Sequence, residues 1–192
     1  MSNETWIGKT LNSKTDEYVI AFKIGSGSYA SVWVSYSKNM KKFMAIKMFK
    51  SNEQKTGKRE LEIYKDFKHK NIRNVINLHE SFIYDDRLCI VIDLMVGSLY
   101  DLIKKGILIN PKNTDDPKNF KHGFDVEFVI KSIKTMLETL SDLHLNHIVH
   151  GDIKPDNILL SGISPELSSL SQKLSNKSST KRAKDKLDLE QL

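Results

Sequence analysis

The chain has 192 residues, 39% of them hydrophobic, and a net charge of +6 from 30 basic and 24 acidic residues. That length can bury a core, no apolar run approaches a membrane span, and Met1-Ser-Asn-Glu-Thr-Trp6 lacks the charged-then-apolar pattern of a secretion signal. A single cysteine excludes an internal disulfide and fits a soluble protein of a reducing compartment, cytoplasmic or nuclear, while acids interleaved with the bases argue against a dedicated nucleic-acid surface.

Residues 1–17 read as an N-terminal extension. From Tyr18, the stretch Tyr18-Val-Ile-Ala-Phe-Lys-Ile-Gly25-Ser-Gly27-Ser-Tyr-Ala30-Ser-Val32-Trp-Val-Ser-Tyr36 predicts two strands joined by a glycine turn. Without Cβ atoms at Gly25 and Gly27, backbone N–H groups at such a tip can come close to a polyphosphate, although a glycine turn alone is more often just a hairpin. A strand follows it, where a dinucleotide fold would have a helix, and Ala30 stands where a third glycine would be.

Alternation along Lys42–Lys50 puts Met44, Ile46 and Met48 on one face and Phe43, Ala45 and Lys47 on the other. Lys47 therefore sits among apolar neighbours, and either meets an anion or snorkels from a strand edge. After Gly57 the helical phase groups Glu60, Ile63, Tyr64 and Phe67, and turns Glu62 to the solvated side with Lys58 and Asp66. Glu60 is then the inward carboxylate; taken alone it reads equally well as a rim glutamate.

Ile76–Tyr84 and Leu88–Asp93 predict two more strands, with Cys89 a buried small hydrophobe in the second. Gly106–Gly123, with Pro111, Asp115, Asp116 and Pro117, reads as an exposed loop. Val126, Val129, Ile130, Ile133, Met136, Leu137, Leu140 and Leu143 recur at the spacing of a long amphipathic helix. His144 and His147 near its end read as helix-end residues, because neither a cysteine nor a carboxylate stands at zinc-ligand spacing.

His150-Gly-Asp152-Ile-Lys154-Pro-Asp-Asn157 places a carboxylate, an ammonium and an amide at the spacing that phosphoryl transfer to a hydroxyl requires. The reaction needs an acceptor for the alcohol proton, a cation for the transferring charge and an oxygen ligand for magnesium. Asp152, Lys154 and Asn157 match those needs in that order, though an isolated Asp-x-Lys-Pro-x-Asn string is also a plausible surface turn. The short apolar runs Ile148-Val149 and Ile158-Leu-Leu160 flank this segment and are expected to anchor it in the core. Residues 161–192, rich in serine and lysine and free of aromatics, read as a flexible tail.

In order, the glycine hairpin, strand lysine, helix glutamate and Asp-x-Lys-Pro-x-Asn segment resemble the eukaryotic protein kinase family over residues 18–160. The resemblance implies an α+β fold: a five-stranded small lobe with one helix and the hinge over 18–95, and the first part of a helical large lobe over 96–160. It implies an ATP site covered by Ile24, Gly25, Ser26, Gly27, Ser28, Tyr29, Ala30, Ser31 and Val32 and lined by Ala45, with Ile92 at the back of the adenine pocket. Lys47, held by Glu60, would bind the α- and β-phosphates, and the hinge Asp93-Leu94-Met95 would bind the base. Asp152 would be the catalytic base, Lys154 the γ-phosphate contact and Asn157 a ligand of Mg2+.

Lys154-Pro155 resembles the serine/threonine branch, which implies a protein substrate with a Ser/Thr acceptor. Ala30-Ser-Val-Trp33-Val-Ser35, Lys41-Lys-Phe-Met-Ala-Ile-Lys47-Met-Phe-Lys-Ser51 and the polar insertion after the catalytic loop resemble the SR-protein kinases, implying Arg/Ser-rich substrates. Gly151 stands where most such kinases have an arginine that pairs with an activation-loop phosphate, which implies no switching by that route. Asp-Phe-Gly and Ala-Pro-Glu do not occur, so the expectation is a kinase cut inside its spacer, completed by a longer product or a complementary large-lobe polypeptide. The alternative is a catalytically inactive pseudokinase or fragment that binds nucleotide or a partner. Retention of Lys47, Glu60, Asp152, Lys154 and Asn157 favours the kinase, while the missing Asp-Phe-Gly favours the alternative for this polypeptide alone, with little or no activity expected of it in isolation.

Overall fold

The structure is a computed structural model that describes residues 6–105, 124 and 126–161. The loop expected at 106–123 and the tail beyond Ser161 lie outside the described residues. Those described fall into two compact units, residues 6–68 with 76–94 and residues 69–75 with 95–161.

The first unit contains strands β1 (Thr10–Asn12), β2 (Glu17–Ser26), β3 (Ala30–Ser37), β4 (Lys42–Phe49), β5 (Leu78–Tyr84) and β6 (Arg87–Asp93), and helix α1 (Gln54–His69). The strands form one antiparallel sheet in the order β1-β2-β3-β4-β6-β5. This is a small lobe with one strand more than the five expected. Three residues of ordinary strand propensity pair there, Thr10 with Val19 and Asn12 with Glu17, because Leu11 and the preceding Trp6 are buried and fasten the segment to the sheet.

Alternation in β4 divides the core between two faces. Met44, Ile46 and Met48 join Trp6, Leu11, Tyr18, Ile20, Trp33 and Val91 on one side. Ala45 and Phe49 join Ala30, Leu61, Leu88, Ile90 and Ile92 on the other, where α1 packs. Burial pushes the Cys89 thiol up to about 12 despite Arg87 nearby, so this cysteine is an inert core residue.

The line of contact on α1 differs from the expected one. Gly57 and Leu61 are its buried residues, whereas Ile63 is 52% exposed. A Cβ on Gly57 would stand 2.8 Å from Phe49 Cγ and from Leu88 Cδ2, so glycine lets the helix come down onto the sheet there. With Leu61 one turn further on the same line, Ile63 lies about 200° away round the helix and meets solvent.

The second unit comprises β7 (Gly97–Ser98), α2 (Leu99–Lys105), α3 (Val126–Leu145) and β8 (Leu159–Leu160). Gly97 pairs with Leu160 and Ser98 with Leu159. The Ser98 hydroxyl accepts the Asp101 N–H at 3.1 Å while the Asp101 carboxylate accepts the Ser98 N–H at 2.8 Å, a reciprocal cap that starts α2. Just past the end of α3, the His147 N–H donates to His144 O at 3.0 Å, and the φ of 58° at His147 turns the Ile148 N–H back to Leu143 O at 2.9 Å. His147 is thus a helix terminator.

Arg73 grips α3 through two 2.8 Å bonds to the Asp142 carboxylate, which accepts the Arg73 backbone N–H as well. Much of the apolar stripe of α3 faces outward. Val126, Ile130 and Leu137 are at least 60% exposed, and only Leu143 is buried. No helix among the described residues is long and apolar enough to cross a membrane.

Candidate active site

Lys47 stands in the middle of β4, paired with Val32 of β3 and Ile90 of β6. Its ammonium lies 2.7 Å and 2.6 Å from the two carboxylate oxygens of Glu60 on α1. Both side chains are about three-quarters shielded, at 28% and 27% exposure, and the ammonium lies 5.4 Å from the centre of the Phe49 ring. One turn beyond Glu60, burial and then the Glu60 charge push the Tyr64 hydroxyl well above the usual phenol range. The pair depends on the close seat of α1 at Gly57, because Glu60 reaches Lys47 only from a helix pressed against that face.

The glycine hairpin follows two register shifts in β2, between Ile20 and Phe22 and between Lys23 and Gly25. At its tip Gly27 N–H donates to Ala30 O at 2.8 Å. Neither Gly25 nor Gly27 has a positive φ, and a Cβ on either would meet its nearest protein atom at 3.7 Å, an ordinary contact. The packing of the hairpin itself therefore does not call for glycine at either place. Ser26, Gly27 and Ser28 are exposed, as are Ile24 and Tyr29, while Ala30 is buried and the hydroxyl of Ser31 accepts the Trp33 indole N–H at 2.8 Å. Val32 is half-buried.

Lys50 belongs with this hairpin, and the sequence reading missed it. Its ammonium donates to Ser28 O at 2.6 Å and its backbone N–H to Tyr29 O at 3.0 Å, tying the tip to the end of β4. A basic residue after a strand carries no signal of such a role. Ala45 pairs with Ile92 across β4 and β6, and both are buried. Asp93 ends β6 half-buried, and Met95 is half-buried within the second unit.

In the second unit, Asp152, Lys154 and Asn157 come together. Asp152 Oδ2 lies 2.9 Å from the Lys154 ammonium and accepts the Asn157 side-chain N–H at 2.8 Å. Asn157 Nδ2 also donates to the Asp152 backbone oxygen at 2.8 Å, which leaves its Oδ1 as the acceptor the side chain can offer outward. The bond from Lys154, then that from Asn157, holds the Asp152 carboxyl below its ordinary value, and Asp152 in turn raises Lys154. Both are charged at neutral pH.

The loop is shaped by its backbone. Pro155–Asn157 form a 3-10 turn, and Gly151 has a φ of 75°, a left-handed conformation that strains an arginine and suits glycine. Val149 is 82% exposed and Leu159 40%, so the flanking apolar runs do not bury the segment as expected. Its anchor is the β7–β8 pairing, extended by Val96 N–H to Leu160 O at 2.9 Å and Leu99 N–H to Ile158 O at 2.8 Å. No group of three or more His, Cys, Asp or Glu stands ready to hold a metal among the described residues. A groove of about 530 Å3 lies along α3 between Arg73 and Leu137, and Asp152, Lys154 and Asn157 do not line it.

Comparison with known proteins gives this arrangement its family. A family model described as "Protein kinase domain" matches residues 18–183. Dual specificity tyrosine-phosphorylation-regulated kinase 3 of Macaca fascicularis is 32% identical over 148 residues, which cover 74% of this chain and 24% of that protein. A putative serine/threonine-protein kinase of Acanthamoeba polyphaga mimivirus is 31% identical over 157 residues, covering 76% and 27%. A crystal structure of a kinase domain superposes with a TM-score of 0.60 at 25% identity, over 76% of this chain and 40% of that one. The chain belongs to the protein kinase domain family and has its fold. It spans about a quarter of the length of the curated relatives it matches.

Proposed function

We propose that this chain carries the nucleotide-binding lobe and catalytic loop of an intracellular, ATP-dependent serine/threonine protein kinase. The observation that carries the reading is the cluster of Asp152, Lys154 and Asn157, three groups of the chemistry that phosphoryl transfer to an alcohol needs, with Lys154 and Asn157 each within 2.9 Å of the Asp152 carboxylate. The Lys47–Glu60 pair supports it, since an ammonium on a side chain about three-quarters shielded, in a mid-sheet position, is poised to exchange part of its carboxylate contact for phosphate oxygens. The glycines support it as well. The hairpin has no need of them for its own packing, and their missing side chains leave the tip open to a triphosphate.

The donors present fit magnesium-ATP. Bound Mg2+ neutralises charge on the phosphates; nucleotide oxygens and waters commonly supply most of its ligands, and Asn157 Oδ1 would supply one here. Lys47 would hold the α- and β-phosphates, and Lys154 would meet the γ-phosphate. Asp152, kept ionised by Lys154 and Asn157, is a weak base but a firm hydrogen-bond acceptor. It would orient the acceptor hydroxyl for in-line attack and receive its proton as the new oxygen–phosphorus bond forms and the bond from the γ-phosphorus to the bridging oxygen breaks, with ADP as the leaving group.

The sharper form of the proposal is an Arg/Ser-rich substrate, supported by the strand residues Ala30–Ser35 and Lys41–Ser51, with a complementary large-lobe polypeptide or a longer product taking part. The test is phosphate transfer from labelled ATP to three peptides: Arg/Ser-rich, plain serine and tyrosine. Transfer to the Arg/Ser peptide should dominate, and Asp152→Asn should lower it about a hundredfold or more. Near-normal turnover in Asp152→Asn rejects the assigned role. Transfer to tyrosine alone rejects the serine/threonine branch.

A further inference from the structure

We infer that His79 is a positioning residue for the base-binding end of β6, an inference that rests on the nucleotide reading above. Leu78 of β5 pairs with Ile92 of β6 and Glu80 pairs with Val91, so His79 is the extra residue of a β-bulge. A bulge breaks the strict alternation of a strand and re-aims the side chain it carries. Here the two neighbouring polar side chains serve different partners. Glu80 accepts from Tyr18 Oη at 2.5 Å, Ser13 Oγ at 2.8 Å and Thr15 Oγ1 at 2.9 Å, locking β2 and the turn before it. His79 Nε2 lies 2.6 Å from Asp93 Oδ1.

Asp93 is held from several sides. Asn77 Nδ2 donates to its other carboxylate oxygen at 2.6 Å, its backbone N–H donates to Asn77 O at 3.3 Å, and the Lys42 ammonium stands 4.0 Å from Oδ1. The site is half-buried, with His79 at 19% and Asp93 at 26% side-chain exposure. Burial opposes ionisation of Asp93, yet the bonds from His79 and Asn77 outweigh it and keep the carboxyl below its ordinary value.

This grip falls where the sheet runs out. The Met44–Asp93 pair is the last of the β4–β6 ladder, and the first unit ends one residue later at Leu94. Past that point no β4 residue orients the backbone. Side-chain bonds from the bulge take over, fixing the peptide of Asp93 before a ligand arrives. Such prior ordering strengthens binding of a group read through backbone hydrogen bonds, as an adenine is, and does little for a phosphate held elsewhere.

The test uses the whole chain with two probes, adenosine and magnesium tripolyphosphate, measured by equilibrium titration. His79→Leu should weaken adenosine binding about tenfold and leave tripolyphosphate unchanged, while His79→Gln, which keeps a donor, should recover most of the loss. Unchanged adenosine affinity overturns the inference, and so does an equal loss of both probes, which marks a merely structural contact. Should His79→Leu not fold, Asn77→Ala releases the second oxygen of Asp93 and must show the same split. If the parent chain binds tripolyphosphate and no adenosine, the positioning role falls while the phosphate site stands. Binding of neither probe removes the nucleotide reading, and this inference with it.

Discussion

The two units hold their functional groups in opposite ways. Lys47 and Glu60 come from a strand and a helix, meet across a packed interface, and are about three-quarters shielded. Asp152, Lys154 and Asn157 come from one short turn, are bonded to each other over at most five residues, and remain 62% exposed at Asp152 and 49% at Lys154. The first arrangement inherits its precision from the core and should fail when packing fails. The second is locally determined, survives changes in distant packing, and is open to screening by salt.

The largest effect that separates them is expected at Gly57. Gly57→Val places a branched side chain where 2.8 Å is available to Phe49 and Leu88, and the overpacking should cost about 1–3 kcal/mol in urea unfolding. Replacing a helical glycine returns only a fraction of that. Nucleotide binding should weaken with it, because Glu60 rides on the displaced helix. An unchanged midpoint would show that the close seat of α1 is not what holds the pair.

A smaller effect belongs to the second unit. Hydrogen bonds from the Arg73 guanidinium and then its backbone N–H lower Asp142 from 3.8 to about 2. A carboxyl depressed in the folded state stabilises fully above its unfolded value and loses that contribution as pH falls through its folded value. Arg73→Gln should therefore lower the melting temperature at pH 7, with the gap from the parent closing between about pH 4 and pH 2. A gap of equal size at pH 7 and pH 2 would show that Arg73 acts by packing and not through this bond.

Much of the first unit was legible because its signals are periodic. Strand alternation separated Met44, Ile46 and Met48 from Lys47, and helical phase chose Glu60 over Glu62. What escaped depends on register and approach. The bulge at His79 exists only once β5 is paired with β6, since no residue type marks it. Ile63 faces water because Gly57 sets the contact line of α1, and a glycine gives no apolar signal. β1 holds through Trp6 and Leu11, two residues too few to make a pattern. In the proposed catalytic loop, residue types and spacing singled out Asp152, Lys154 and Asn157, which do come together, while the left-handed Gly151 and the weak burial of Val149 are consequences of a backbone path. The exposed stripe on α3 has the periodicity of a buried face, and periodicity alone says nothing of what covers it.

The central claim is that the Lys47–Glu60 pair exists to receive the phosphates of a nucleotide. Thermal melting of the parent chain and of Lys47→Met, each with and without magnesium-ATP, tests it most directly. A ligand that binds only the folded state raises its melting temperature. The account predicts a rise for the parent and none for Lys47→Met; no rise in the parent, or an equal rise in both, would contradict it.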